Sequence, residues 1–386
     1  MRRVYLDWNA TARPLEDGLR AMVDAANTAW ANPASVHGFG RAARAVVENA
    51  REAVARLARC DARDVVFTSG GTEANNIALG SFFPFGEPSA RDGGDDVLVT
   101  SHLEHPSVVR VAEALERQGR ARLRWLRVRE DGTIDLEDLE LALAGGHVRL
   151  VAMQAVNHET GVLQPVGVAR ALCDRVGASL HVDAIQAFGR VLDVAEGADT
   201  RSLAAHKIRG PKSIGALIAR GPSTPLQSVT HGGSQERGVR PGTVDPIAAA
   251  GLEVAARHAI TSPVRYAGLA ALRDRLEMSL LECAPGSSVN GAAAVRAPHV
   301  TNIAFPGWPG PELVAALDLE GVAVSSGSAC SAGTSEPSPG LAAMRGPATA
   351  ARSVRFSLGE ETTADEIDGA IEAVRRVFGR TPDRGQ

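Results

Sequence analysis

Lys207 and Lys212 are the only lysines in the chain, although lysine and arginine together number 41. Arginine supplies positive charge everywhere else, and the two amines sit close together in AAHKIRGPKSIG, residues 204 to 215. Chemistry that needs an amine able to shed its proton, such as Schiff base formation with a carbonyl, cannot use a guanidinium whose pKa exceeds about 12. This segment is therefore the first candidate site. Two residual lysines holding a turn are the alternative reading.

Other segments carry complementary chemistry. SGGTEANN (69 to 76) follows an apolar run and opens a helical pattern, so Gly71 and Thr72 can offer N–H groups and a hydroxyl to a phosphate at a helix N-terminus. A tight turn with a threonine cap explains the same residues without a ligand. HVDAIQ places Asp183 at the end of a buried run, where a carboxylate can keep a pyridinium nitrogen protonated; a helix N-cap is the alternative. Phosphate cradle, acid for a ring nitrogen and proton-losing lysine, in that chain order, form the set that pyridoxal 5′-phosphate requires.

His105 in SHLEHPS can stack on such a ring and move protons. His102 and His105 could also be two metal ligands, but no third is evident and no metal is expected. Asn157 in VNHETG and Gln186 offer neutral hydrogen bonds to the ring's phenolic oxygen or to a substrate carboxylate. Arg355 in VRFSLG is a candidate bidentate clamp on an amino acid carboxylate, with a surface salt bridge as the alternative. Cys330, in SSGSACSAGTSEPSPG, is surrounded by small and polar residues, a setting for a reactive thiol rather than a packed one. Cys60, Cys173 and Cys283 lie on or beside helical patterns and read as packing residues.

These segments need a scaffold that brings them together. Short apolar runs at 64–68, 96–100, 149–155, 179–184 and 214–219 alternate with helical patterns such as 41–58, 106–118 and 166–176. Such alternation predicts an α/β protein with a largely parallel sheet and helices on both faces, its ligand site lying beyond the carboxyl ends of the strands. After two helices over roughly 245 to 283, the pattern changes to a smaller α+β unit ending in a helix at 365 to 378. The chain has 386 residues, 44% hydrophobic and 22% charged, with a net charge of −4. That composition argues against disorder, against a field that attracts nucleic acid, and against a membrane span. Four scattered cysteines, with no CxxC pair, suit neither a disulfide framework nor a zinc knuckle.

Ten segments carry a wider likeness: YLDWNATA, NPASVHGFGR, FTSGGTEANN, LEHPSV, VNHETGVLQPV, HVDAIQAFG, AAHKIRGPKSIGAL, GGSQERGVRPGTVDP, SSGSACSAG and VRFSLG. In this order they resemble the cysteine desulfurases, pyridoxal phosphate enzymes of fold type I related to the class V aminotransferases. The long stretch around Cys330 resembles the subgroup whose mobile cysteine loop hands sulfur to partners. The resemblance implies a mainly parallel seven-stranded sheet in a large cofactor-binding domain over 15–255. A smaller α+β domain, 1–14 with 256–386, would carry the cysteine segment.

It further implies that Lys207 condenses with the cofactor aldehyde, that Asp183 pairs with the ring nitrogen and that Gln186 contacts the phenolic oxygen. His105 would stack and shuttle protons. Gly71, Thr72 and His206 would hold the phosphate, joined by Thr243 from a second subunit of a homodimer. Asn157 and Arg355 would orient the substrate, with Asn32 near the same pocket. L-Cysteine would yield L-alanine, its sulfur kept as a persulfide on Cys330 for an acceptor protein in the cytoplasm. A selenocysteine lyase or another class V lyase or aminotransferase is the alternative activity, and an idle scaffold the alternative class. Ala204 stands where the family pattern has Ser, His158 where it has a second Asn, Arg209 where it has an aromatic residue or His, and Ser213 where it has Gly. These departures leave open whether the sulfur serves iron–sulfur assembly or thiolation of tRNA, DNA or a cofactor.

Overall fold

The computed structural model describes residues 3–84, 90–91, 94–192, 195–221, 224–327 and 337–379. Seven strands build the central sheet: β1 (Val65–Thr68), β2 (Val97–Ser101), β3 (Arg122–Leu126), β4 (Val148–Gln154), β5 (Ser179–Asp183), β6 (Thr200–Ala204) and β7 (Gly215–Ala219). Their order is β1-β7-β6-β5-β4-β2-β3. Strands β2 to β6 pair in parallel, whereas β7 runs antiparallel to both β1 and β6. Helices cover both faces, so β1, β2 and β7 are buried throughout and read as unbroken apolar runs.

Strand β3 escaped the sequence reading for a physical reason. As an edge strand it alternates exposed Arg122 and Arg124 with half-buried Leu123 and Trp125, so no apolar run marks it.

Helix α1 (Glu16–Thr28) is followed by α2 (Gly38–Ala58), which buries Ala43, Val47, Ala50 and Val54 on one stripe, as its spacing predicts, with Ala58 buried and Leu57 half-buried at its end. The later helix Pro246–Ala259 answers with Ala248, Ala249, Leu252, Ala255 and Ala256, and small side chains on both surfaces let the two helices pack over β1 and β7. The opposite face is covered by α3 (Gly71–Phe82) and α4 (Pro106–Arg117), whose Ile77, Leu79, Val108 and Leu115 meet Val66, Leu98 and Leu150.

The second half of the chain holds a three-stranded antiparallel sheet of Ser288–Val289, Val300–Ala304 and Ser353–Ser357. Helices Ala270–Cys283 and Ala364–Gly379 pack Leu276, Leu280, Ile371 and Val374 against its Ile303 and Phe356. Between 246 and 283 the chain forms three helices rather than two, because Pro263 opens a short helix, Ser262–Ala267, between the longer ones.

The first residues of the chain return to this second half. Val4–Tyr5 pairs in parallel with Val322–Ala323, and the Ser357 N–H donates to the Leu6 carbonyl at 2.8 Å. The segment from Asp7 to Ala12 then crosses to the large sheet, where the Ala12 N–H donates to the His206 carbonyl at 2.9 Å. A long-range pairing thus sets the N-terminal residues over the strand ends. Among the described residues, no helix is long and apolar enough to cross a membrane.

Candidate active site

The ends of β1, β2, β4, β5 and β6 converge as parallel topology requires, and the segments that follow them enclose a cavity of about 200 Å3. Gly71, Thr72, His105, Asp183, Gln186, His206, Lys207 and Arg355 all line it. Asn9, Ala10, His158 and Ala204 complete much of the wall.

Lys207 closes a single helical turn, Ala205–Lys207, directly after β6. Its Nζ donates to the carbonyls of Asn9 at 2.6 Å and Ala10 at 2.7 Å. Lys212 is exposed. The two lysines that composition alone left equivalent are therefore separated by the fold. The loop between them carries two residues outside the usual region for side chains, Arg209 at φ 69° and Ser213 at φ 64°. Such left-handed backbone costs roughly 1–2 kcal/mol at a non-glycine residue.

Asp183 is fixed in place by hydrogen bonds to both of its carboxylate oxygens. Its Oδ1 accepts from the Ile185 N–H at 3.0 Å and its Oδ2 from Asn75 Nδ2 at 2.9 Å. Asn75 also donates to Ser107 Oγ at 2.8 Å, and its Oδ1 accepts from His181 Nε2 at 3.1 Å. Burial pushes His181 down to about 3, so its neutral ring can serve as this donor.

His105 caps α4. Its Nδ1 accepts from the Ser107 N–H at 3.1 Å and pairs with Ser107 Oγ at 2.8 Å, while Pro106 takes the first helical position. An N–H aimed at Nδ1 keeps that nitrogen unprotonated and leaves the ring proton on Nε2. Burial lowers the pKa of His105, Asp183 opposes this, and Lys207 adds to it. His158 meets His105 edge to face at 5.5 Å and is held well below the usual histidine range by burial, then by His105, Arg355 and Lys207. His206, bonded to Thr11 Oγ1 at 3.2 Å, falls to about 4, chiefly through burial.

The cradle end of the cavity is built on close approach. Gly71 opens α3, and a Cβ there would lie 2.1 Å from Ile185 Cδ1. At Gly215 a Cβ would stand 2.5 Å from the Leu203 carbonyl oxygen and 2.8 Å from Gly70 Cα, so only glycine lets β7 run beside this turn. Gly71→Ala is expected to push Ile185 or the first turn of α3 aside at a cost of about 1–3 kcal/mol. Affinity for a phosphate at the helix start should then fall by about tenfold or more, as measured by titrating the protein with pyridoxal phosphate.

Arg355 is almost wholly buried. Its Nη2 donates to Asp7 Oδ1 at 2.6 Å and its Nη1 to the His158 carbonyl at 2.9 Å, while among the described residues its Nε has no hydrogen-bond partner. Asn157 does not line the cavity. Its Oδ1 accepts from the N–H groups of Glu159 and Thr160 at 3.0 and 2.8 Å, which spends the amide on the turn that carries His158. Asn32 and Thr243 are exposed in the single chain, and Asn32 Oδ1 caps the Ala34 N–H at 2.8 Å. Cys330 lies outside the described residues. His102 stacks on Trp125 at 4.2 Å, and among the described residues no three His, Cys, Asp or Glu side chains gather as metal ligands.

Sequence reasoning did not single out Asn9, Asn75 or Arg190. Asn9 is a hub: its N–H donates to Ser357 Oγ at 3.0 Å, its Nδ2 to the His158 carbonyl at 3.2 Å, and its Oδ1 accepts from Arg190 at 2.9 Å and His299 at 3.1 Å. Its segment, YLDWNATA, contains no nucleophile or titratable group beyond Asp7 and Tyr5 to attract notice. Asn75 sat unremarked inside SGGTEANN.

The donor set fits pyridoxal phosphate. A helix start opened by Gly71 close against Ile185, a carboxylate held by two hydrogen bonds and a lysine amine share one wall, and Arg355 and Lys207 suit an anionic guest.

The comparisons agree. Residues 4–369 match the aminotransferase class-V family. A cysteine desulfurase of Cereibacter sphaeroides is 40% identical over 378 residues, covering 97% of this chain and 95% of that protein. A solved NifS-like protein superposes with a TM-score of 0.88 at 28% identity, covering 98% of this chain and 99% of that one. A structure of SspA in complex with cysteine gives a TM-score of 0.79 at 28% identity, over 93% of this chain and all of the other. The chain belongs to the aminotransferase class-V family and, within it, to the cysteine desulfurases.

Proposed function

We propose that the chain is a pyridoxal-phosphate-dependent cysteine desulfurase that converts L-cysteine to L-alanine and holds the sulfur as a persulfide on Cys330. The observation that carries this reading is the convergence of Lys207, Asp183, His105 and Arg355 on one cavity in a member of this family. When bound, pyridoxal phosphate supplies an aldehyde that condenses with amines and a ring that withdraws electrons from the substrate α-carbon.

The protein's own groups divide the remaining work. Gly71 and Thr72 at the start of α3, with His206, would hold the phosphate. Asp183, fixed by Asn75 and the Ile185 N–H, would pair with the ring nitrogen. Gln186 would offer an amide to the phenolic oxygen, and His105, its proton on Nε2, would stack on the ring. Arg355 binds the substrate carboxylate, which competes with Asp7 for the guanidinium. Lys207 moves protons at its Nζ, and the Asn9 and Ala10 carbonyls hold that amine in place.

The sulfur step balances without an outside oxidant. The Cys330 thiolate attacks the substrate sulfur, the S–S bond forms as the C–S bond breaks, and the electron pair stays with the substrate β-carbon, which takes up a proton. The two sulfur atoms together lose two electrons in forming the S–S bond, and the β-carbon gains those two. A thiol acceptor must then take the sulfur before the next turnover.

Asn157 serves this reading by setting the turn that carries His158. We infer that Asn32, and Thr243 contributed from a second copy, lie near the pocket of a homodimer. Residues 15–255 form the cofactor-binding body; 1–14 with 256–386 form the smaller one, a division supported by the pairing of Val4–Tyr5 with Val322–Ala323. We place the protein in the cytoplasm, handing sulfur to an acceptor protein.

The test is to load the protein with pyridoxal phosphate, reduce with borohydride and map the adduct by mass, while measuring alanine released from L-cysteine in the presence of a dithiol. An adduct on the peptide holding Lys207, with alanine produced, is the expected result. Absence of both overturns the proposal.

A further inference from the structure

Arg190 is a buried cation that the proposed chemistry does not use. It is 1% exposed, and among the described residues no carboxylate forms an ion pair with it, Glu360 acting on it only as a lesser electrostatic influence. Burial lowers its pKa, so the fold bears a desolvation cost at this position. Its Nε has no hydrogen-bond partner among the described residues, but the bonds of its two Nη atoms converge on one place. Nη1 donates to Asn9 Oδ1 at 2.9 Å and to Gln186 Oε1; Nη2 donates to the Trp8 carbonyl at 3.1 Å and the Lys207 carbonyl at 2.9 Å. The guanidinium carbon stands 5.9 Å from the Tyr266 ring centroid.

These four acceptors come from three stretches of chain that only the tertiary fold brings together. Gln186 is oriented as a result: its oxygen faces Arg190, so its Nε2 is the group left to donate, and it does so to the Asn9 carbonyl at 3.1 Å. Lys207 Nζ donates to that same carbonyl oxygen at 2.6 Å. Two cationic side chains therefore meet around Asn9, one on its backbone oxygen and one on its side-chain oxygen. Like charges gathered in a buried site favour the neutral form of whichever can release a proton, and an arginine cannot.

We propose that Arg190 is a positioning residue that locks Gln186, the Trp8–Ala10 segment and the Lys207 main chain into one geometry and supplies the fixed charge that keeps the Lys207 amine ready to react. The inference rests on the reading of Lys207 as the reactive amine, but its test does not. A lysine at 190 keeps the charge and has three donors on a flexible stem in place of a planar fork, whereas glutamine removes the charge.

The chain has two lysines, so lysine labelled with 13C at Cε yields two side-chain signals, and Lys212→Arg assigns them. The pH midpoint of each is read in protein without cofactor. Lys207 also faces Asp183, His105, His158, His206 and Arg355 across the cavity, and these are unchanged in the variants. Arg190→Gln should raise the Lys207 midpoint by about one unit and leave Lys212 unmoved; Arg190→Lys, whose third lysine signal is identified by its absence from wild type, should keep the Lys207 midpoint near that of wild type while lowering kcat about 10- to 100-fold through lost positioning. A Lys207 midpoint identical in wild type and Arg190→Gln, with Lys212 also unmoved, overturns the proposal. Should Arg190→Gln fail to fold, Arg190→Lys decides: wild-type kcat in that variant overturns the positioning role. Failure of wild type to form a borohydride-stable adduct would sink the reading of Lys207 instead, without touching the midpoint comparison.

Discussion

Lys207→Arg is expected to reduce alanine formation from L-cysteine by at least about 10³-fold, the upper part of the range for loss of a positioned acid–base group. The variant is chosen because arginine keeps a cation beside the Asn9 and Ala10 carbonyls, which Nζ meets at 2.6 and 2.7 Å. Folding should therefore survive. What it cannot do is lose a proton, and so it can neither condense with an aldehyde nor take a proton from a carbon. Alanine release and borohydride-stable labelling should vanish together, with an unchanged thermal midpoint showing that the fold is intact. Activity within tenfold of wild type would mean that another amine does this work, and Lys212, exposed outside the cavity, is the only other lysine.

Cys330→Ala is expected to abolish persulfide formation and to lower alanine release from L-cysteine at least about 10²-fold, while labelling at Lys207 persists. Cys60 and Cys173 do not compensate. Burial pushes Cys60 and Cys173 up to about 11, so both stay protonated near neutral pH, and the thiolate is the nucleophile. Mass analysis after one turnover should find 32 Da of added sulfur on the Cys330 peptide of wild type (~32 Da for one sulfur atom) and none in the variant. Selenocysteine separates the two enzymatic alternatives: a lyase that releases selenium directly retains activity in Cys330→Ala, and a desulfurase loses its reaction with cysteine. Full alanine release from cysteine in the variant would remove Cys330 from the mechanism.

Much of this site was legible before the fold was known, for reasons that differ by residue. Lysine stood out because arginine had taken every position where a permanent charge is enough. Asp183, His105 and Gly71 stood out because each follows an apolar run, and a parallel sheet sends every such end to the same edge. Strand β3 was less visible, since exposed arginines interrupt its apolar residues at the sheet edge. The antiparallel direction of β7 was not legible either, because a fully buried strand carries no mark of its direction.

Sequence alone determined which groups could do the chemistry, since side-chain chemistry is a local property: two amines able to deprotonate in a chain of arginines, one carboxylate at a strand end, one thiol among small residues. The fold decided which lysine faces the cavity, that Asn157 spends its amide on a turn, and that Arg190 reaches Asn9, Gln186 and Lys207 together. Those contacts join positions as far apart as residues 9 and 357. They come from packing the N-terminal segment between two sheets, and hydrogen-bond partners so distant along the chain leave no periodic trace in it.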